Sequence, residues 1–133
     1  MQAKFFVMKK LLLLLSLSLI ACSTCKVANV SRIKEIQFGE GGGITGQIRT
    51  YSLKNDGKIC IGEKQIKVIS SDSISAILDL VEHLPKENSV MPSNTFNFIR
   101  LILEDKTYYY VWSIENMPDT KVLELYKRLK IQL

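Results

Sequence analysis

The hydrophobic and polar positions of this chain predict several short β-strands, then a helix, two more strands and a last helix. Runs of strand-favouring residues, separated by turn-forming residues, predict strands at 33–38, 44–53, 58–61 and 65–69. Asn55-Asp56-Gly57 is a strong turn signal between the second and third strands, because these residue types tolerate a positive φ. The short links favour hairpins between neighbouring strands.

After residue 69 the period of the apolar positions changes to that of an α-helix. The apolar residues of one helical face are Ile74, Ile77, Leu78, Val81 and Leu84. Ser70, Ser71 and Asp72 are candidate N-caps, and Pro85 marks the end of this helix. Pro118 starts a second helix, whose apolar positions are Val122, Leu125, Tyr126 and Leu129. Two strands, at 96–103 and 108–112, lie between the helices.

The element order ββββαββα indicates the α+β class. Hairpin-length links predict an antiparallel sheet of about six strands with the two helices packed on one face. The interpretation places residues 32–133 in a single domain, which is long enough to bury a core without disulfide or metal staples.

The first part of the chain is typical of a signal peptide. Residues 11–21 are almost entirely apolar and follow Lys9 and Lys10. This stretch is too short to span a bilayer, which needs roughly 20 apolar residues in a helix. Residues 1–21 are therefore predicted to be an export signal, with translation beginning at either Met1 or Met8.

Leu19-Ile20-Ala21-Cys22 resembles a lipobox, in which the cysteine is acylated and becomes the first residue of the mature protein. The alternative is an ordinary signal peptide with an incidental cysteine. We expect a membrane anchor at Cys22, carrying fatty acyl chains such as palmitate, and a tether over residues 22–31. Ser23 is not an aspartate, which by analogy with enteric lipoproteins favours the outer membrane, facing the periplasm.

Removing the leader changes the charge of the protein. The whole chain has 18 basic and 13 acidic side chains. Lys4, Lys9 and Lys10 belong to the leader, so 15 basic and 13 acidic side chains remain after it. The remaining charges are interspersed, whereas a nucleic-acid-binding domain carries a basic patch or stripe. We therefore expect no nucleic-acid partner.

The segment 39–46 is rich in glycine and has two interpretations. Gly41, Gly43 and Gly46 satisfy the pattern G-x-G-x-x-G, but a dinucleotide site needs a helix after the motif and a strand follows here. One interpretation is a flexible hairpin loop or bulge. The other is a loop whose bare backbone approaches a partner, with Gly41, Gly42, Gly43 and Thr45 as the candidate contact residues.

The remaining chemistry-bearing residues are few. Cys25 and Cys60 are candidates for a disulfide, which an oxidising compartment permits. Tyr108, Tyr110 and Trp112 share one strand face and are either core residues or an exposed stacking platform, of which the core is favoured. One histidine and few thiols do not make a zinc site. We expect no metal and no cofactor.

A family resemblance rests on the same glycine segment. The residues from Phe38 to Gly46 read Phe-Gly-Glu-Gly-Gly-Gly-Ile-Thr-Gly, followed by Tyr51-Ser52-Leu53 and Asp56-Gly57-Lys58. This order resembles a group of small uncharacterised bacterial lipoproteins with a Gly-Gly-Gly-x-Thr-Gly stretch, a tyrosine-containing strand and an Asp-Gly turn. Pro92-Ser93-Asn94 before Phe98-Ile99 is similar to their Pro-Gly-Asn segment, with serine in place of glycine. The resemblance covers most of residues 33–112 and implies no catalytic residue.

Two functional hypotheses follow. The first is a non-enzymatic binding or structural module of the bacterial envelope, anchored through its N-terminal lipid and contacting an envelope protein. The alternative is a small periplasmic hydrolase or enzyme-inhibitor module, in which His83, the sole histidine, would carry the chemistry.

Overall fold

The computed structural model describes residues 32–86, 88–89 and 94–133. Seven strands form one sheet: β1 (Ile33–Gly42), β2 (Ile48–Lys54), β3 (Lys58–Ile61), β4 (Lys64–Val68), β5 (Asn88–Ser89), β6 (Thr95–Leu103) and β7 (Thr107–Trp112). Two helices, α1 (Ser71–Glu82) and α2 (Thr120–Ile131), complete the described fold. The predicted α+β class and the order ββββαββα are confirmed.

The strand order across the sheet is β4-β3-β2-β1-β6-β7-β5. All neighbours are antiparallel except β5, which pairs in parallel with β7 at the edge. The sequence pattern did not predict this two-residue strand, because so short a strand shows no periodicity. The opposite edge is β4, whose five side chains are all exposed and whose pairing with β3 contains a register shift.

β1 is the central strand and is longer than predicted. It continues through Gly42 and pairs with β2 on one side and β6 on the other. β2 begins at Ile48, four residues later than predicted, because residues 43–47 form the turn of the β1–β2 hairpin. Both differences arise from the glycines, which have no side chains to show alternation between the two faces of a strand.

Both helices cover the same face of the sheet. Since side chains alternate along a strand, Ile36 and Phe38 of β1 share this face with Ile99 and Leu101 of β6. The core comprises these residues together with, among others, Tyr108, Tyr110 and Trp112 of β7, Ile77 and Val81 of α1, and Val122, Leu125 and Leu129 of α2. Tyr108, Tyr110 and Trp112 are at most 3% exposed, so the prediction that these three are core residues is confirmed.

The helix termini follow local capping rules. Of the three candidate N-caps of α1, Ser70 is the one used, because its hydroxyl accepts a hydrogen bond from the amide of Ser73 at 3.2 Å. α2 begins two residues after Pro118, and its N-cap is Asp119, whose carboxylate accepts from the amide of Lys121 at 2.8 Å. Neither of the two described helices is long and apolar enough to cross a membrane.

Tyr126 fastens α2 to the centre of the sheet. Its ring meets the indole of Trp112 edge-on, with the ring centroids 4.9 Å apart. Its hydroxyl lies 3.1 Å from the carbonyl oxygen of Gly39 and 3.1 Å from Oδ1 of Asn97. One side chain therefore links the last helix to both β1 and β6.

Tyr126→Phe is expected to lower the free energy of unfolding by about 1–2 kcal/mol, because it removes these hydrogen bonds and keeps the ring packing. Urea unfolding followed by the fluorescence of Trp112 measures the change. Tyr109→Phe is the matched control, since the Tyr109 ring lies on the opposite, more exposed face. Equal effects of the two substitutions would contradict a stabilising role for the Tyr126 hydroxyl.

Because of the Tyr126 hydroxyl, the free energy of unfolding depends on pH in the alkaline range. Burial, followed by the negative charges of Glu40 and Tyr51, raises the pKa of Tyr126 from 10.0 to about 12. Because the folded state holds the proton more tightly, this contribution is complete below pH 10.0 and is lost as the pH rises to about 12. The phenylalanine variant should lack that part of the alkaline loss of stability.

Candidate functional site

The two ends of the sheet differ in chemistry. We call one the hairpin end; it comprises the β1–β2 turn (43–47), the β3–β4 turn (62–63), the start of β6 and the segment 113–117 after β7. We call the other the tether end; β1 starts there at Ile33, and the β2–β3 turn (55–57) lies there. β1 runs from one end to the other over 10 residues, a span of about 33 Å.

The β1–β2 turn is built on glycines in the left-handed region. Gly42, Gly43 and Gly46 have φ values of 93°, 80° and 63°. The amide of Gly42 donates to the carbonyl of Gln47 at 3.2 Å, and the amide of Gly46 donates to the carbonyl of Gly43 at 3.1 Å. A positive φ is costly for residues with a Cβ, which explains the glycines in this turn.

Because Gly41 and Gly42 have no side chains, other residues of the same chain can pack closely against this end of β1. A Cβ on Gly42 would overlap the carbonyl oxygen of Asn94 just before β6. A Cβ on Gly41 would lie 2.7 Å from the ring of Phe96, its cross-strand neighbour. These two of the four candidate contact residues therefore have a packing role, which the glycine pattern alone did not reveal.

Gly43 and Thr45 are different. A Cβ on Gly43 would meet nothing within 4 Å, and Thr45 is exposed. Between them Ile44 is fully exposed at the tip of the turn. Of the predicted contact residues, Gly43 and Thr45 are thus the ones that present accessible surface.

Exposed isoleucines gather at the hairpin end. We define the isoleucine cluster as Ile44, Ile48, Ile61 and Ile114. Ile114 is 84% exposed and Ile48 is 60% exposed. Ile48, Ile61 and Ile114 line one shallow depression of about 770 Å³, together with Phe96. Three separate segments supply these side chains, so the periodicity within a single segment did not identify the cluster. An isoleucine between the polar residues Ser113 and Glu115 was a local signal of an exposed apolar side chain.

The depression has a polar rim. Glu40, Gln47, Arg49 and Asn97 also line it. Among the described residues of its lining there is neither histidine nor cysteine. An apolar centre with mixed charges around it suits a protein contact better than acid–base or nucleophilic chemistry.

His83 lies elsewhere, at the C-cap of α1. Its Nδ1 is 2.7 Å from the carbonyl oxygen of Asp79 one turn earlier, so the ring caps its own helix. The groove between the helices that His83 lines contains no hydroxyl or thiol among its described residues. Within the described lining of this groove, no serine, threonine or cysteine side chain lies beside the histidine on which the hydrolase alternative depends.

Cys60 lies buried in β3 and forms no disulfide with any of the described residues. Its predicted disulfide partner Cys25, like the predicted lipidation site Cys22, lies outside the described residues, so the pairing stays a prediction. Within the described ranges no three His, Cys, Asp or Glu side chains are grouped to hold a metal ion. Comparisons of the chain with protein-family models, with curated proteins and with solved structures find no match.

Proposed function

We propose that this chain is a lipid-anchored lipoprotein of the bacterial envelope that acts as a non-enzymatic binding module. Its anchor is Cys22, and its location is the outer membrane, facing the periplasm. Its partner is an envelope protein, which it contacts through the hairpin end. The observation that carries the binding role is the isoleucine cluster, supplied by three segments of the chain and exposed at one end of the sheet.

Exposure of this kind has an energetic consequence. Single exposed apolar residues are ordinary on a protein surface, but a group of them surrounded by polar residues is typical of an interaction site. Ile44 and Ile114 gain the most from being covered, since they are the most exposed large apolar side chains described. Their burial by a partner would supply hydrophobic free energy without any change in the fold.

The arrangement of the two ends supports the same proposal. Arg32 directly precedes β1, so the predicted tether joins the domain at the tether end. The hairpin end lies about 33 Å away along β1. An anchor at one end and an apolar contact surface at the other suit a module that holds a partner away from its point of attachment.

Substitution of the cluster tests the proposal. Ile44→Glu with Ile114→Glu is expected to reduce the yield of partner crosslinked in living cells by about tenfold, because two buried carboxylates would replace apolar contacts. The crosslinking group is placed at Thr45 and the products are counted by mass spectrometry.

Ile131→Glu is the matched control, because Ile131 is 73% exposed at the end of α2 and lines the groove between the helices instead of the depression at the hairpin end. A crosslinking yield that fell equally in the control, or that did not fall in the double variant, would refute a contact at the hairpin end.

A further inference from the structure

Two opposite charges lie side by side at the depression of the hairpin end. Glu40 of β1 and Arg49 of β2 are register partners in the sheet, and both line the depression. Because side chains alternate between the two faces of a strand, both share the face of the core residue Phe38. Both side chains are exposed. They form a neighbouring acid and base on one open surface.

Neither charge is neutralised by an ion pair within the described part of the chain. The two ion pairs there join Arg32 to Asp105 and Lys58 to Asp56. Residues directly opposite each other on antiparallel strands have Cβ atoms about 5 Å apart, so one partner molecule can contact both. A partner that presented a base beside an acid would neutralise both charges.

Apolar side chains line the same depression. Ile61 comes two residues after Ile59, a core residue of β3, so it shares the face of the charged pair. Ile61 is 43% exposed, and Ile114, which also lines the depression, is 84% exposed. Burial of these isoleucines would supply hydrophobic free energy, and the acid and base would fix the orientation of the partner.

This surface is complementary to itself. In a two-fold symmetric dimer the same surface of both copies is in contact, and each contact between two different residues occurs twice. Glu40 of one protomer would meet Arg49 of its partner, and Arg49 would meet Glu40. The same contact would bury the isoleucines of both copies. An unrelated partner needs a matching base, acid and apolar surface, whereas a second copy already has all three.

We propose that the partner bound at the hairpin end is a second copy of this chain. The two-fold symmetric dimer is held by reciprocal pairs between Glu40 and Arg49 and by burial of Ile61 and Ile114. It rests on the proposed function, because the second copy is the partner assigned to the same surface. The fold of each protomer stays unchanged, since all four side chains are already exposed.

Charge reversal in solution tests the dimer. The mature chain, residues 22–133 with Cys22→Ser, contains every residue of the core, which extends from Ile33 to Leu129. Sedimentation velocity over a wide range of concentration should show a reversible equilibrium between monomer and dimer. Glu40→Arg and Arg49→Glu should each weaken the dimer by about tenfold, because both reciprocal pairs become contacts between like charges. A chain that stayed monomeric throughout, or variants that dimerised like the parent, would overturn the proposal.

Mixing the two variants is the sharper measurement. Each variant alone brings like charges together, but a mixed dimer of Glu40→Arg with Arg49→Glu restores both pairs. An equimolar mixture should therefore associate about tenfold more tightly than either variant alone. Such recovery also shows that both variants are folded. A mixture no tighter than its components would overturn the reciprocal pairing.

Glu104→Arg is the matched control for the change of charge. Glu104 is exposed and directly follows β6 at the tether end, where Leu103 pairs with Ile33. This variant should dimerise as the parent chain does. Equal weakening in the control would mean that the total charge of the protein sets the association, and the assigned surface would be wrong.

Crosslinking in cells distinguishes a second copy from another partner. Two differently tagged copies of the full chain are expressed together, with the crosslinking group at Thr45 of one of them. Products that carry both tags are expected. Products that contain a different protein and lack the second tag would overturn the dimer and leave the proposed function standing. No product of either kind would reject the proposed function and the dimer with it.

Discussion

Cys22→Ser is expected to abolish acylation and to remove almost all of the protein from the outer-membrane fraction. The apolar part of the predicted leader, residues 11–21, is too short to span a bilayer, so on the proposed anchoring stable attachment would depend on acyl chains at Cys22. Each buried methylene contributes about 0.8 kcal/mol to membrane binding, and two or more chains hold a protein firmly. Fractionation of cells together with mass spectrometry of the mature N-terminus measures the result.

Cys25→Ser is the matched control, because it removes a thiol three residues away and leaves the lipobox intact. This variant should keep both the acyl mass and the outer-membrane location. An intact N-terminus at Met1 or Met8 in the parent protein, or the absence of an acyl mass on Cys22, would refute the predicted anchor.

Gly42→Ala is expected to lower the free energy of unfolding by about 3–5 kcal/mol, a large part of the 5–15 kcal/mol that is typical of a domain. Two costs add at this position. The backbone has a φ of 93°, and the new Cβ would overlap the carbonyl oxygen of Asn94. Because that oxygen belongs to the backbone beside β6, it cannot move without disturbing the sheet.

Gly43→Ala measures the cost of the positive φ alone. Its φ of 80° is similar, but a Cβ there would meet nothing within 4 Å. The expected loss is about 1–2 kcal/mol. Urea unfolding of the mature chain with Cys22→Ser, followed by the fluorescence of Trp112, compares the two variants. Equal losses would show that close approach to Asn94 contributes nothing to stability.

Gly42 and Gly43 lie in the part of the fold that the sequence pattern did not predict. The helices and most strands could be predicted, because buried side chains recur with the period of each element, as Ile77 and Val81 do in α1. The N-terminal end of α1 could be predicted as well, and Ser70 is its N-cap. The extent of β1 was not, because a run of glycines has no side chains whose alternation could mark a strand.

The candidate site was predictable only in part. The glycine segment drew attention to the β1–β2 turn, and the structure places Gly43 and Thr45 on its surface. The neighbouring Ile61 and Ile114 belong to segments that are remote in sequence and meet only when the sheet forms.

The exposed edge strand β4 affects whether neighbouring copies of the domain can join through their sheets. Edge strands offer unpaired amides and carbonyls, and two such edges can join into a continuous sheet between molecules. β4 is short, carries Lys64 and Lys67, and is interrupted by the register shift opposite Ile59 and Cys60. Like charges and a bulge oppose pairing with a second copy. These features of β4 therefore oppose edge-to-edge joining of sheets at this edge when copies of the domain are crowded together.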